Sequence, residues 1–225
     1  PGWLFGEWEV RVQPVGFAEP MGARFIDEDT RLAIRADFAA GMPPENVTWR
    51  SRFYAPSPEE LPRRDATETP VVQFRAFNAA QEMMAFMGPD APNVLSQADT
   101  RSMPLQILVA FLIDGGESYQ SLKLELDAAN VESKDDFAIS SELFRQVVTV
   151  NGEFESQGDF EVITAYTIKS DTTAVARSRI AKYLVPGDAL YEEADGAAVS
   201  YMDYDWQMTR KSTCIDTPSG SQCRQ

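Results

Sequence analysis

Several segments of the chain switch between apolar and polar residues at every step. Trp8, Val10 and Val12 alternate with Glu7, Glu9 and Arg11. Val47, Trp49, Ser51 and Phe53 alternate with Thr48, Arg50, Arg52 and Tyr54, and Leu122, Leu124 and Leu126 with Lys123, Glu125 and Asp127. A period of two gives a strand one dry face and one wet face. Leu32, Ile34, Ala36 and Phe38 alternate in the same way with Arg31, Ala33, Arg35 and Asp37, which predicts a strand there in preference to a short helix. Further strands are expected at residues 71–76, 106–113, 139–150, 160–169, 174–184 and 198–210. Asn151-Gly152 is a type I′ hairpin signal, and Gly115-Gly116 separates two apolar runs. About eight to ten strands joined by turns predict a mainly β fold, an antiparallel barrel, because closure removes exposed sheet edges.

One helix interrupts this pattern. Asn78 offers a cap with Gln81 three residues on, as in a capping box. Ala79, Ala80, Glu82, Met83, Met84 and Ala85 favour helix, and Gly88-Pro89 stops it. The helix is expected to cap one barrel end, its Phe77, Met83, Met84, Phe86 and Met87 filling that end. Residues 56–70 carry four prolines and mixed charge and are expected as an exposed loop. Residues 1–211 then form a single domain, and residues 212–225 a loosely held polar tail.

Composition narrows the function classes. The formal net charge is −15, which disfavours nucleic acid and anionic membrane surfaces as partners. Histidine is absent, which removes the Ser-His-Asp triad, the Cys-His pair and histidine metal sites. The longest apolar run, residues 107–113, is far short of a membrane span of roughly 20 residues. The first residue is Pro1, so either a targeting peptide has been removed or the sequence begins inside a precursor. Cys214 and Cys223 are the two cysteines. A disulfide loop in an oxidising compartment and two free thiols both fit their spacing.

Candidate site residues fall into a few groups. Met202, Tyr204, Trp206 and Met208 form an aromatic and thioether stripe, read either as core or as the wall of a pocket for a flat apolar ligand. Arg177 and Arg179 point the same way on a strand, with Lys182 nearby. They would clamp a carboxylate or phosphate, or pair with strand carboxylates such as Glu142 or Glu161. Asp27-Glu28-Asp29, Asp135-Asp136 and Glu192-Glu193 read as solvated turns, and Asp203 and Asp205 as water-facing. Asn46-Val47-Thr48 is a glycosylation sequon. No calcium loop, zinc spacing, phosphate-cradling loop or Gly-x-Ser-x-Gly motif occurs, so the expected metal content is none and the expected role is not enzymatic.

Two resemblances add to this reading. Gly6-Glu7-Trp8 at the first strand resembles the mark of lipocalin-like barrels, in which the Trp closes one end and an Arg of the last strand packs over the indole. Arg210 shares the parity of Met202 to Met208 and fits that role opposite Trp8. The ordered stretches at residues 2–10, 75–78, 141–146, 179–186 and 199–204 are similar to an uncharacterised plastid and cyanobacterial thylakoid-lumenal family. That resemblance implies a lipocalin-like fold, a chloroplast thylakoid-lumen location and association with the photosynthetic apparatus. The first functional expectation is a non-catalytic accessory subunit docking on a photosystem or its light-harvesting antenna. The second is a carrier or chaperone for a small apolar ligand such as a pigment, bilin or lipid. A bilin lyase-like activity ranks below both, because no nucleophile can be assigned.

Overall fold

In the computed structural model, which describes residues 1–39, 47–55, 71–87, 94–99, 106–217 and 220–224, the alternating segments build one antiparallel sheet. The strands are β1 (Gly6–Ala18), β2 (Thr48–Tyr54), β3 (Val72–Gln73), β4 (Val94–Asp99), β5 (Gln106–Ile113), β6 (Ser118–Lys134), β7 (Phe137–Val150), β8 (Glu153–Ser170), β9 (Thr173–Tyr183) and β10 (Ser200–Ser212). They hydrogen-bond in the order β3-β2-β1-β10-β9-β8-β7-β6-β5-β4. The sheet curls strongly. Phe53 on β2 and Tyr166 on β8 lie three intervening strands apart in that order, yet their rings meet edge-on at 6.0 Å. The mainly β, barrel-like fold expected from the alternation is therefore present.

The capping helix expected from the sequence is present as well. Among the described residues β3 and β4 are the two sheet edges, and α2 (Arg75–Met87) packs against β2 on one side and β4 and β5 on the other. The helix thus bridges strands from the two ends of the sheet order. Its Ala76 and Ala80 are buried with Ile107, Phe111 and Leu124 in one half of the core. Asn78 is not its cap, because the helix begins three residues earlier, at Arg75. The Asn78 carboxamide instead accepts the Arg52 N–H at 2.7 Å and donates to the Arg52 carbonyl at 3.2 Å, covering the open edge of β2.

Residues 31–38 also depart from expectation. They belong to α1 (Glu28–Ala39), not to a strand. Asp27 Oδ1 accepts the Thr30 N–H at 2.9 Å, and Glu28 and Asp29 complement the dipole of the first turn. The acidic triplet read as a solvated turn is thus a helix start. Ile34 and Phe38, four residues apart, face the core, while Leu32 stays half exposed. The short α3 (Tyr191–Ala194) holds the Glu192-Glu193 pair, and Arg24 bonds Glu193.

The hairpin signals hold. Asn151 and Gly152 take positive φ of 51° and 85° between β7 and β8, and Gly115 and Gly116 turn the chain between β5 and β6. The tail does not hang loose. Cys214 and Cys223 are joined in a disulfide between β11 (Cys214–Thr217) and β12 (Gly220–Cys223). Ile215 of this hairpin is buried with Phe5 and Tyr54, and Gln222 bonds both main-chain groups of Ala55. The expected loop at residues 56–70 and Asn46 of the sequon lie outside the described residues. β4 falls where the sequence reading placed no element.

Candidate functional site: an interior cavity with a polar wall

One end of the shell is sealed by Trp8 and Arg210. The Arg210 guanidinium carbon sits 4.1 Å from the centroid of the fully buried Trp8 ring. Its nitrogens also donate to the carbonyls of Trp3, Phe5 and Asp171, while the Trp8 indole donates to Leu4 at 2.7 Å. The first turn of the chain is thereby strapped beneath the barrel. Gly6 allows this approach: its φ is +118°, and a Cβ there would stand 2.4 Å from the Ser212 carbonyl oxygen.

Above this plug the inner faces of the strands and α2 enclose a cavity of about 440 Å³. Strand register explains its layers. Ser140, Thr164, Ser178 and Tyr204 form one inward row across β7 to β10. The row below holds Tyr166 and Trp206, and the row above Glu142, Val162, Ile180 and Met202. Small residues in the middle row leave the space that larger ones above and below would fill. The hydroxyls of Thr164 and Ser178 satisfy each other at 3.1 Å.

Most of the wall is apolar, but several ionisable groups converge on it. Glu142 is buried and accepts both Nε (3.0 Å) and Nη2 (2.6 Å) of Arg75. A carboxylate removed from water needs such a partner, because burying it alone costs several kcal/mol. Glu82 is different. It is half-buried, it lines the cavity, and burial pushes its carboxyl up to about 7. Tyr166 is buried, and its phenol is raised well above the ordinary tyrosine value by burial first and then by the charge of Glu142. Lys182 stands exposed at the opposite rim, its ammonium lowered by desolvation from the surrounding wall. Apolar walls with a few convergent polar groups are the usual make-up of a small-molecule site.

A model of the domain-of-unknown-function family DUF6816 matches residues 1–212. The chain belongs to the DUF6816 family. No curated protein matches it and no solved structure matches it. The DUF6816 match takes in Trp8, Arg210 and every cavity residue, and leaves the disulfide hairpin outside.

Within this DUF6816 chain the residues singled out from sequence go to different places. Tyr204 and Trp206 line the cavity. Met208 is buried below it in the core. Arg177 and Arg179 lie on the outer face, where they pair with Asp205 (3.9 Å) and Asp203 (2.7 Å) on the neighbouring strand. They do not meet Glu142 or Glu161, and Asp203 and Asp205 are thus partnered. Glu161 instead accepts from Ser141 and from the Tyr183 hydroxyl. Arg179 also lies over the Tyr201 ring at 4.7 Å. The sequence reading missed the cavity roles of Arg75, Glu82 and Tyr166. Glu82 was legible as a lone acid among Ala79, Ala80, Met83 and Met84. Glu142 had the inward parity of Ala138, Ser140 and Phe144.

Among the described residues no group of three or more acidic or cysteine side chains is placed to hold a metal ion. No helix among them is long and apolar enough to cross a membrane.

Proposed function

We propose that this protein is a carrier or chaperone that holds one small amphipathic molecule inside its barrel. The observation that carries the reading is the cavity itself. Its volume of about 440 Å³ matches a drug-sized ligand, and Trp49, Trp206 and Phe86 supply apolar surface beside the polar groups of Arg75, Glu82 and Glu142. A filled interior would have served stability better. The small residues Ser178 and Thr164 in the central row, flanked by aromatic rings, support a space kept for an occupant. A pigment or lipid fragment with an apolar body and a polar group suits such a wall.

Mass spectrometry of organic extracts of the protein isolated from its own cells tests this directly. One compound recovered at near one-to-one stoichiometry is the expected result. A ligand in hundredfold excess over its Kd should also stabilise the fold by about 2.7 kcal/mol, readable as a rise in Tm. Absence of any extracted compound, together with no thermal shift across a panel of amphiphiles, would overturn the reading.

The resemblance to a thylakoid-lumenal family supports placing this carrier in the chloroplast lumen. It also supports the other expectation, docking on a photosystem or antenna. Val131 and Phe137, 58% and 41% exposed near the tip of the β6–β7 hairpin, offer apolar contact surface for such docking. Thylakoid fractionation before and after a salt wash separates a membrane-held subunit from a free lumenal carrier.

A further inference from the structure

Four aromatic rings form a row on the cavity wall. Trp206 meets Trp49 edge-on at 5.5 Å between centroids, Trp49 meets Phe86 at 5.9 Å, and Phe86 meets Tyr204 edge-on at 6.3 Å. Tyr204 and Trp206 are two apart on β10 and both line the cavity, so all four rings border one space. A cation on the cavity side of this row of rings comes within the roughly 6 Å reach of a cation–π contact.

Glu82 belongs to the same wall. It precedes Phe86 by four residues on α2, so both occupy one helix face, and both line the cavity. Its charge acts on Tyr166, whose ring packs 6.3 Å from Trp206. Among the described residues Glu82 has no ion-pair or hydrogen-bond partner, and Arg75 on the same helix is held by Glu142. The other ionisable groups on the wall are Glu142 on β7, Tyr166 on β8, Lys182 on β9 and Tyr204 on β10. Lys182 is four residues along β9 from Ser178, the residue opposite Tyr204, or about 13 Å from those rings at strand spacing.

Aromatic faces are electron-rich, and a carboxylate without a counter-ion favours the same guest. We infer that the cavity takes a cationic amphiphile, with a methylated ammonium or similar weakly hydrated cation seated among Trp49, Phe86, Tyr204 and Trp206 and Glu82 as its counter-charge. This assignment rests on the carrier reading and names the class of molecule carried. The net charge of −15 draws such a guest toward the protein and repels anionic competitors.

Isothermal calorimetry on the full chain tests it with two probes of one shape, phenyltrimethylammonium and its neutral isostere tert-butylbenzene, and with the anion para-tert-butylbenzoate as a third. In alkaline buffer the cation should bind about tenfold more tightly than the neutral isostere, the equivalent of one to two solvent-exposed cation–π contacts. In mildly acidic buffer, with Glu82 protonated, that advantage should shrink. Glu82→Gln should reduce it to about threefold or less in both buffers. Should that variant fail to fold by circular dichroism, the wild-type pH comparison alone decides. Equal binding of cation and isostere, or tighter binding of the benzoate, would overturn the cationic assignment and leave the carrier reading standing. Failure of all three probes to bind the folded protein would overturn both.

Discussion

The carboxamide of Asn78 bonds the N–H and the C=O of Arg52, making a side chain of α2 behave as one more residue of a neighbouring strand. An unpaired edge in a curled sheet is a template for association, and here the helix supplies the missing partner. The neighbouring Phe77 ring takes the Arg52 guanidinium at 4.0 Å, which fixes the same helix turn from the other side.

Replacing Asn78 by Leu should therefore cost about 1–3 kcal/mol, because the Arg52 N–H loses its acceptor while the Arg52 carbonyl keeps the Phe74 N–H. Urea denaturation measures it. Asn78→Asp keeps the acceptor and loses the donor, and should fall between the wild type and Asn78→Leu. A wild-type midpoint for Asn78→Leu would mean that helix packing alone holds α2 against β2.

Gly6 should tolerate no side chain. Its φ of +118° is unfavourable for other residues, and the Ser212 carbonyl blocks the Cβ at 2.4 Å. Gly6→Ala is expected to destabilise by about 2–3 kcal/mol. The shift should be accompanied by a change in the near-ultraviolet circular dichroism of Trp8, because the Arg210 strap begins at this residue.

Glu82 makes stability depend on pH in a direction opposite to that of a salt-bridged carboxylate. Its folded-state value of about 7 lies above the unfolded carboxyl value. Its contribution is therefore intact in acid, below the unfolded pKa, and is lost as pH rises toward and through 7. The loss should be on the order of 2 kcal/mol, after discounting for the part of the side chain open to the cavity. Glu82→Gln should match the wild type in acid and exceed it in stability above neutrality. Parallel stability–pH curves for the two proteins would refute this placement of the carboxyl.

The tail hairpin should depend on its disulfide. Closing a loop of this length is worth about 2.5 kcal/mol in the chain-entropy model. Reduction, or the Cys214→Ser, Cys223→Ser double substitution, should release Gln222 from Ala55 and speed amide exchange at Ala55. The barrel should stay folded, since Trp8 and Arg210 do not rely on the hairpin.

Much of the fold was legible because inward and outward residues trade places at each step. The parity that put Trp206 and Tyr204 on one face of β10 also aligned Arg210 over Trp8. Residues 31–38 misled because Ala33 and Ala36 fit either period. The deciding signal was local chemistry before the segment: an Asp27 cap and two acids in the first turn. The tail misled through its polarity, since Ile215 and Gln222 acquire burial from Phe5, Tyr54 and Ala55, residues more than 150 positions away.

By itself the sequence determined most of the strands, the hairpin at Asn151-Gly152 and the existence of helix α2. Those follow from side-chain alternation and backbone preference, which act over a few residues. Only the tertiary structure decided that the helix bridges β2 and β4–β5, that Arg75 rather than Arg177 or Arg179 answers Glu142, and that Glu82 faces a cavity with no counter-ion among the described residues. Each of these depends on how far the sheet curls, and curl brings together strands whose order along the chain says nothing about their distance in space.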